Sequence, residues 1–386
     1  MIDIYGTLGP ACADREILRE MLSLGMTGMR LNLSHMTLPE AAPLIRLLHD
    51  AAGDAGVQPQ LLIDMQGPEL RIGVLPEPLE LKESSLVRLV CPRKKMPGRQ
   101  PDSGVQPDDP EVLPCIPVPA AVLSALTTGQ ELVLDDSKFL LKVTEVQGSA
   151  DNADLKDPAG NADQAGCALA EVLRGGTLSS RKSIALPGIQ IDSPAMTETD
   201  RKNLSYAKQF GVTAVMQPFV RSPEDLKTVR AALDEAGCGD IRLFAKIENL
   251  DGIRMIDRLI PEADEIVIAR GDLGNAVPLW DLPGVQKTLA SKCLSAGKAF
   301  MVVTQMLASM EQSAVPTRAE VSDIFNAVQD GASSVMVTGE TAAGKYPVEV
   351  IRYLVSTVRS AEHYFSDAAK RADYYFSDTA LSAQNY

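Results

Sequence analysis

Lys246 and Glu248 stand two residues apart, directly after the apolar run at 241–245. Side chains two apart on an extended strand point the same way, so an ammonium and a carboxylate leave one strand end together. Asp272 follows the next apolar run, at 265–269, within Arg270-Gly271-Asp272. Two carboxylates on neighbouring strand ends form a hard, oxygen-only donor set with open positions, which suits Mg2+ or Mn2+. Arg30, Arg71, Lys246 and Arg270 also lie within or just past apolar runs. Their positive charge suits phosphate bound through metal and bidentate guanidinium contacts. A metal site, a lysine and arginines together point to phosphoryl transfer.

That positive charge is local, because the chain as a whole is acidic: 37 Lys+Arg against 51 Asp+Glu give a net charge of −14 over 386 residues. Such a surface disfavours non-specific nucleic-acid binding, which depends on basic groups displacing counterions from phosphates. Hydrophobic residues at 45% and charged residues at 23% are ordinary for a globular protein. Apolar runs such as Phe300-Met301-Val302-Val303 are far too short to cross a membrane. Six scattered cysteines without a CxxC pair, and no apolar leader after Met1, fit a reduced, cytoplasmic protein. The three histidines, His35, His49 and His363, have no zinc-binding spacing. His49 and His363 read as ordinary helix positions, and His35 as a hydrogen-bonding neighbour rather than a base.

The elements that must position these groups are eight short β-rich runs, at 2–5, 28–31, 61–64, 213–216, 241–245, 265–269, 300–303 and 333–337, alternating with helical patterns. Helix starts are marked by Asp14, by Thr197-Glu198-Thr199-Asp200, which resembles a capping box, by Ser222-Pro223-Glu224 and by Tyr346-Pro347. Eightfold strand–helix alternation predicts an α/β fold, a (β/α)8 TIM barrel whose chemistry lies at the carboxyl ends of the strands. Polar groups follow the runs as that requires: Thr7, Asn32 and Ser34, Asp64, Lys246 and Glu248, Arg270 to Asp272, Thr304-Gln305 and Thr338-Gly339-Glu340. From 72 to 171 the pattern changes to short β-like pieces around a proline-dense stretch at 92–119. A structureless segment of that length inside a barrel is implausible, so it reads as an inserted β-rich lid domain. The expected organisation is a barrel of residues 1–71 and 172–363, a lid of 72–171 with hinges near Arg71 and Gly175, and a tail of 364–386. Gly339 to Lys345 matches most of a phosphate-binding P-loop, but Tyr346 stands where the metal-binding hydroxyl belongs, which excludes that site.

Read in order, Asn32-Leu33-Ser34-His35, Asp64-Met65-Gln66-Gly67-Pro68-Glu69-Leu70-Arg71, Ser180-Arg181-Lys182, Ala245-Lys246-Ile247-Glu248-Asn249, Ala269-Arg270-Gly271-Asp272-Leu273-Gly274, Thr304-Gln305-Met306-Leu307 and Gly339-Glu340-Thr341-Ala342-Ala343-Gly344-Lys345-Tyr346-Pro347 closely resemble the signatures of the pyruvate kinases. The resemblance implies transfer of a phosphoryl group from phosphoenolpyruvate to ADP, giving ATP and an enolate that is protonated to pyruvate, a step of glycolysis. It implies Mg2+ or Mn2+ on Glu248 and Asp272, with Lys246 neutralising charge on the phosphoryl group. The Gly271 and Asp272 amides with Thr304 would hold the substrate carboxylate, Thr304 lying on the enolate-protonating side. Arg30, Arg71, Lys182, Asn32 and His35 would bind the nucleotide and phosphates, Arg30 and Arg71 also serving catalysis. Asn32, Ser34, Asp64 and the Met65 carbonyl would hold K+, a need that Glu69 at its position also implies. Asp135-Asp136 resembles the acidic pair of the mobile lid.

The sequence departs from the family pattern at Met65-Gln66, Pro218, Ser183-Ile184-Ala185 and Thr338, none of which removes a charged site residue. The 23 residues from Tyr364 to Tyr386 are too few for the family's carboxyl-terminal effector domain, so neither that domain nor a sugar-phosphate response is expected. The stripe Val321, Ile324, Phe325 and Val328 suggests pairing into a homodimer. Two other functions stay open: a metal-dependent pyruvate-class aldolase, which would not need the lid or Lys182, and a non-catalytic metabolite-binding protein, which would not need Lys246, Glu248 and Asp272 together.

Overall fold

A computed structural model describes residues 2–34, 36–67, 70–91, 113–135, 138–147, 167–187, 189 and 194–382, with side chains as far as Ser366 in the last helix. His35, Glu69 and Asp136 lie outside the described residues.

Asp3–Thr7, Gly28–Asn32, Gln60–Asp64, Ala214–Gln217, Arg242–Ile247, Glu265–Ala269, Ala299–Val303 and Ser334–Met336 form strands one to eight of a closed, all-parallel barrel. Each expected run holds one strand, with no end shifted by more than two residues. The largest consequence is at strand five, which extends to Ile247 and so contains Lys246 rather than ending before it. Parallel strands are buried on both faces, which accounts for their unbroken apolar runs. Tyr5, Leu62, Met216, Phe244, Val267, Met301 and Met336 fill the interior. Residues facing outwards, such as Leu61, Val215, Leu243, Ile266 and Val335, join the surrounding helices in the larger core.

The helices begin where the sequence marks them. Asp14 accepts hydrogen bonds from the Glu16 and Ile17 amides, and Ser222 caps Pro223–Glu235. Thr197 and Asp200 form a complete capping box despite the shorter acid. The stripe read as a dimer surface is largely used within the chain: Ile324 and Val328 are buried, and the Phe325 ring packs 5.6 Å from Tyr364 and 5.2 Å from Phe365. The last helix, Pro347–Ser382, includes most of the segment read as a tail.

Glu69–Ser193 forms a second compact unit. Leu86–Val90, Cys115–Pro117, Glu131–Leu134, Phe139–Gln147, Cys167–Arg174 and Ile184–Ala185 make one sheet, and Leu79–Leu81 pairs with Gly176–Leu178. Its own core, including Val87, Leu89, Ile116, Leu132, Leu141, Val143, Ala170 and Val172, gives it the anatomy of a small domain. The unit extends beyond residue 171 because Gly176–Leu178 must return to Leu79–Leu81.

At the amino-terminal end of the barrel the first residues of several strands are polar. Ser334 donates to Glu265 at 2.5 Å, Gln60 donates to Asp3 at 3.2 Å, and Tyr5 donates its hydroxyl proton to Gln60 at 2.8 Å. Arg242 also donates to Gln60 and lies 4.9 Å from the Phe244 ring centroid. Burial pushes the Glu265 carboxyl up; the Ser334 hydrogen bond and the Arg242 charge only partly oppose this, and Asp3 adds to it. A carboxyl raised by folding contributes its full stability below its unfolded pKa, and that contribution is lost as pH rises through the folded value. Glu265→Gln keeps the shape without the charge. The melting temperature of this variant should therefore exceed that of the natural chain by a margin that widens from pH 5 to pH 8. A margin independent of pH would show that Glu265 is not held at a raised pKa.

Candidate active site

Lys246 and Glu248 emerge from strand five towards Asp64 at the end of strand three. The Lys246 Nζ lies 3.1 Å from Asp64 Oδ2 and 2.9 Å from Glu248 Oε1. Arg30, on strand two, donates Nε and Nη2 to Asp64 Oδ2 at 2.8 and 2.6 Å. Two cations and two carboxylates thus form one linked cluster, with both carboxylate side chains 3% exposed or less. Burial alone would raise the Asp64 pKa, but Lys246 and Arg30 outweigh it and hold the carboxyl below its ordinary value. Burial alone would lower the Lys246 pKa, but Asp64 and Glu248 reverse this and keep the ammonium charged. A fixed positive charge in a dry site stabilises charge developing on a bound group far more than it would in water.

The loops around the cluster are held by groups to which the sequence assigned no such contact. The Phe219 amide donates to Glu248 Oε2 at 2.8 Å, and Phe219 adopts φ +52° to do so. Asp200 accepts the Gln66 and Gly67 amides at 2.8 and 3.1 Å, fixing the turn after Asp64. Gly67 has φ +61°, and a Cβ there would overlap the Pro218 ring, so this turn requires glycine. Glu340 accepts the Leu307 amide at 3.2 Å and the Thr338 amide at 2.6 Å, tying strand eight to the Thr304–Leu307 turn. The capping pattern gave a local signal for Asp200, whereas no local pattern indicated the Phe219 contact.

Thr304 and Gln305 both have left-handed backbones, with φ +81° and +56°. Such conformations cost roughly 1–3 kcal/mol each for non-glycine residues and persist where their surroundings impose them. A Cβ on Gly271 would lie 3.0 Å from the Thr304 methyl group, so glycine at 271 leaves room for that side chain. Arg270 is corrected by the structure. Instead of adding to a phosphate-binding cluster, its guanidinium is engaged by Asp323 at 2.7 Å and by the Thr304 carbonyl at 2.8 Å.

The donor chemistry fits both expected cations. Glu248, just past strand five, and Asp272, in the short helix Arg270–Ala276 after strand six, offer hard oxygens from adjacent elements. One of the Glu248 oxygens carries the Phe219 amide, and carboxylate oxygens retain further lone pairs for a divalent ion. No group of three or more acidic, histidine or cysteine ligands occurs among the described residues. Asn32 and Asp64 are register partners on adjacent strands, and Asn32 Oδ1 accepts the Ser34 amide at 3.1 Å. Ser34, Asn32 and the Met65 carbonyl add neutral oxygens to the Asp64 carboxylate, a mixture suited to a monovalent cation.

Arg71 and Lys182 belong to the second unit. Arg71 pairs with Ser183 as an isolated β-bridge and donates to the Arg181 carbonyl at 2.8 Å. Lys182 forms an ion pair with Asp135 at 3.0 Å. Burial would raise the Asp135 pKa, but Lys182 and Lys138 hold it below the usual carboxylate value. Asp135 is thereby bound to the lysine expected to meet phosphate.

Comparison with known proteins agrees with the barrel and its strand-end motifs. A family model described as "Pyruvate kinase, barrel domain" matches residues 1–351. The chain is 33% identical over 360 residues to a pyruvate kinase of Bacillus licheniformis, covering 93% of this chain and 57% of that protein. It is 34% identical over 364 residues to one from Agrobacterium vitis, covering 94% and 69%. With pyruvate kinase PKLR of Homo sapiens it shares 36% identity over 370 residues, covering 93% and 59%. The chain therefore spans a little over half the length of several relatives that it matches. By this agreement of sequence, barrel and motifs, the chain belongs to the pyruvate kinase family.

Proposed function

We propose that this chain transfers the phosphoryl group of phosphoenolpyruvate to ADP, forming ATP and pyruvate. The observation that carries this reading is the Lys246 ammonium, kept charged between Asp64 and Glu248 at the carboxyl end of the barrel. Phosphoryl transfer depends on positioning and charge stabilisation, and a fixed cation meets that need without proton transfer. In the reaction, a terminal oxygen of ADP takes the phosphoryl group as its bond to the enol oxygen breaks. The remaining enolate then takes a proton at carbon.

Lys246 neutralises charge on the phosphoryl group. Arg30, already oriented by Asp64, presents its remaining donors to phosphate, and Arg71 and Lys182 bind phosphate as well. The Gly271 and Asp272 amides and the Thr304 hydroxyl hold the substrate carboxylate, and Thr304 lies on the side where the enolate is protonated. Mg2+ or Mn2+ held by Glu248 and Asp272 would supply Lewis-acid neutralisation of phosphate oxygens. Asn32, Ser34, Asp64 and the Met65 carbonyl would hold K+. An aldolase on the same barrel would have no use for Arg71 and Lys182, which favours phosphoryl transfer.

Pyruvate formation from phosphoenolpyruvate and ADP with Mg2+ and K+ tests the activity directly. Lys246→Met should lower kcat by at least about 10²-fold, the scale of losing one preorganised charge-stabilising group. Turnover near that of the natural chain in this variant would overturn the assigned role. Calorimetric titration with Mn2+ should show that the metal still binds.

The K+ assignment has a separate test at constant ionic strength. Activity should rise steeply when K+ replaces tetramethylammonium, which is too large for the Asn32–Asp64 donor set. Equal rates in the two salts would remove K+ from the mechanism while leaving the phosphoryl-transfer reading in place.

A further inference from the structure

Thr304 and Gln305 are consecutive non-glycine residues in the left-handed region, and Thr304 is β-branched. A backbone of this kind needs an external hold. The Thr304 carbonyl has one in Arg270, which donates Nη2 at 2.8 Å and Nε at 3.3 Å to the same oxygen. The Arg270 side chain is only 10% exposed and is itself braced. Asp323, in the helix Arg318–Gln329, accepts from Nη1 at 2.8 Å, and Gln286 lies 3.4 Å from that nitrogen. Gln286 donates in turn to Asp330 at 3.1 Å. The Met306 sulfur lies 2.9 Å from Nη2.

We propose that Arg270 is a positioning residue: braced by Asp323 and Gln286, it grips the Thr304 carbonyl and so holds the Thr304 side chain over Gly271. The proposal deepens the phosphoenolpyruvate–ADP reading, on which its kinetic measurements rest. A guanidinium can place two donors on one carbonyl while keeping others for a carboxylate, which an ammonium on a flexible stem does not reproduce. The charge of Arg270 is balanced by Asp323, so its contribution is geometric. Small displacements of a positioned group lower turnover sharply because the bound geometry must already approach that of reaction.

Arg270→Ala, Arg270→Lys and Asp323→Asn in the full chain test this proposal. Arg270→Ala should lower kcat about 100-fold, with Mn2+ affinity within about twofold of the natural chain. Millimolar guanidinium should restore at least about tenfold of that loss, Arg270→Lys should remain impaired, and Asp323→Asn should lose several-fold in kcat. Deuterium exchange into the pyruvate methyl group, which reads the protonation step in reverse, should fall in parallel. A kcat for Arg270→Ala within twofold of the natural chain would overturn the proposal, as would failure of guanidinium to rescue it. If Arg270→Ala does not fold, Asp323→Asn decides, and an unchanged kcat there overturns the proposal. A crystal structure of the folded Arg270 variant should show Thr304 relaxed to negative φ; Thr304 retained near its present conformation would also overturn it. If the natural chain makes no pyruvate, the phosphoryl-transfer reading fails while this structural outcome still judges the clamp.

Discussion

The buried alternation of charge from Arg30 through Asp64 and Lys246 to Glu248 is the constraint on which the candidate site depends. Asp64 accepts from both Arg30 and Lys246, and Lys246 spans Asp64 and Glu248. Removing one member of such a buried set leaves its partner uncompensated, typically at about 3–5 kcal/mol. The set is assembled from strands two, three and five, so it exists only when the barrel closes in register. Pairing of Asn32 with Asp64, of Met216 with Asp64 and of Met216 with Phe244 fixes the positions of these strands, strand five being reached through strand four.

Around this rigid cluster the chain accepts local strain. Phe219 turns its amide to Glu248 with a positive φ, and Thr304 and Gln305 also adopt positive φ at the end of strand seven. The supports come from remote positions: Asp200 for the turn at Gln66 and Gly67, and Arg270 with Asp323 for the turn at Thr304. Site geometry therefore belongs jointly to the strand ends and to the helices whose side chains reach back to the loops. Such rigid second supports keep reactive groups aligned without a contribution from substrate.

The two ends of the barrel solve different electrostatic problems. At the carboxyl end, cations and anions are matched closely enough that Asp64 stays ionised despite burial. At the amino end, Glu265 has Ser334 and the charge of Arg242 against its burial, and the balance raises its pKa. Two carboxyl groups thus have opposite shifts in one barrel, according to whether a cation is in direct contact. The second unit repeats the first pattern at Asp135, where Lys182 and Lys138 both reach the carboxylate.

The amino-acid sequence by itself determined the eight strand positions, the helix starts and the residues of the strand-end motifs. These are local properties: a strand buried on both faces needs an apolar run, and a helix start needs a side chain that satisfies exposed amides. The asparagine–serine, lysine–glutamate and arginine–glycine–aspartate motifs were legible for the same reason, since each sits at the end of such a run. Tertiary structure alone decided which charges meet. Arg30 and Lys246 converge on Asp64, whereas Arg270, which looks equivalent in sequence, turns to Asp323, 53 residues away. The acidic Glu265 likewise looked like an ordinary strand start until barrel closure set Ser334 against it. Side-chain pairing across a barrel depends on register and closure, which local residue patterns do not encode.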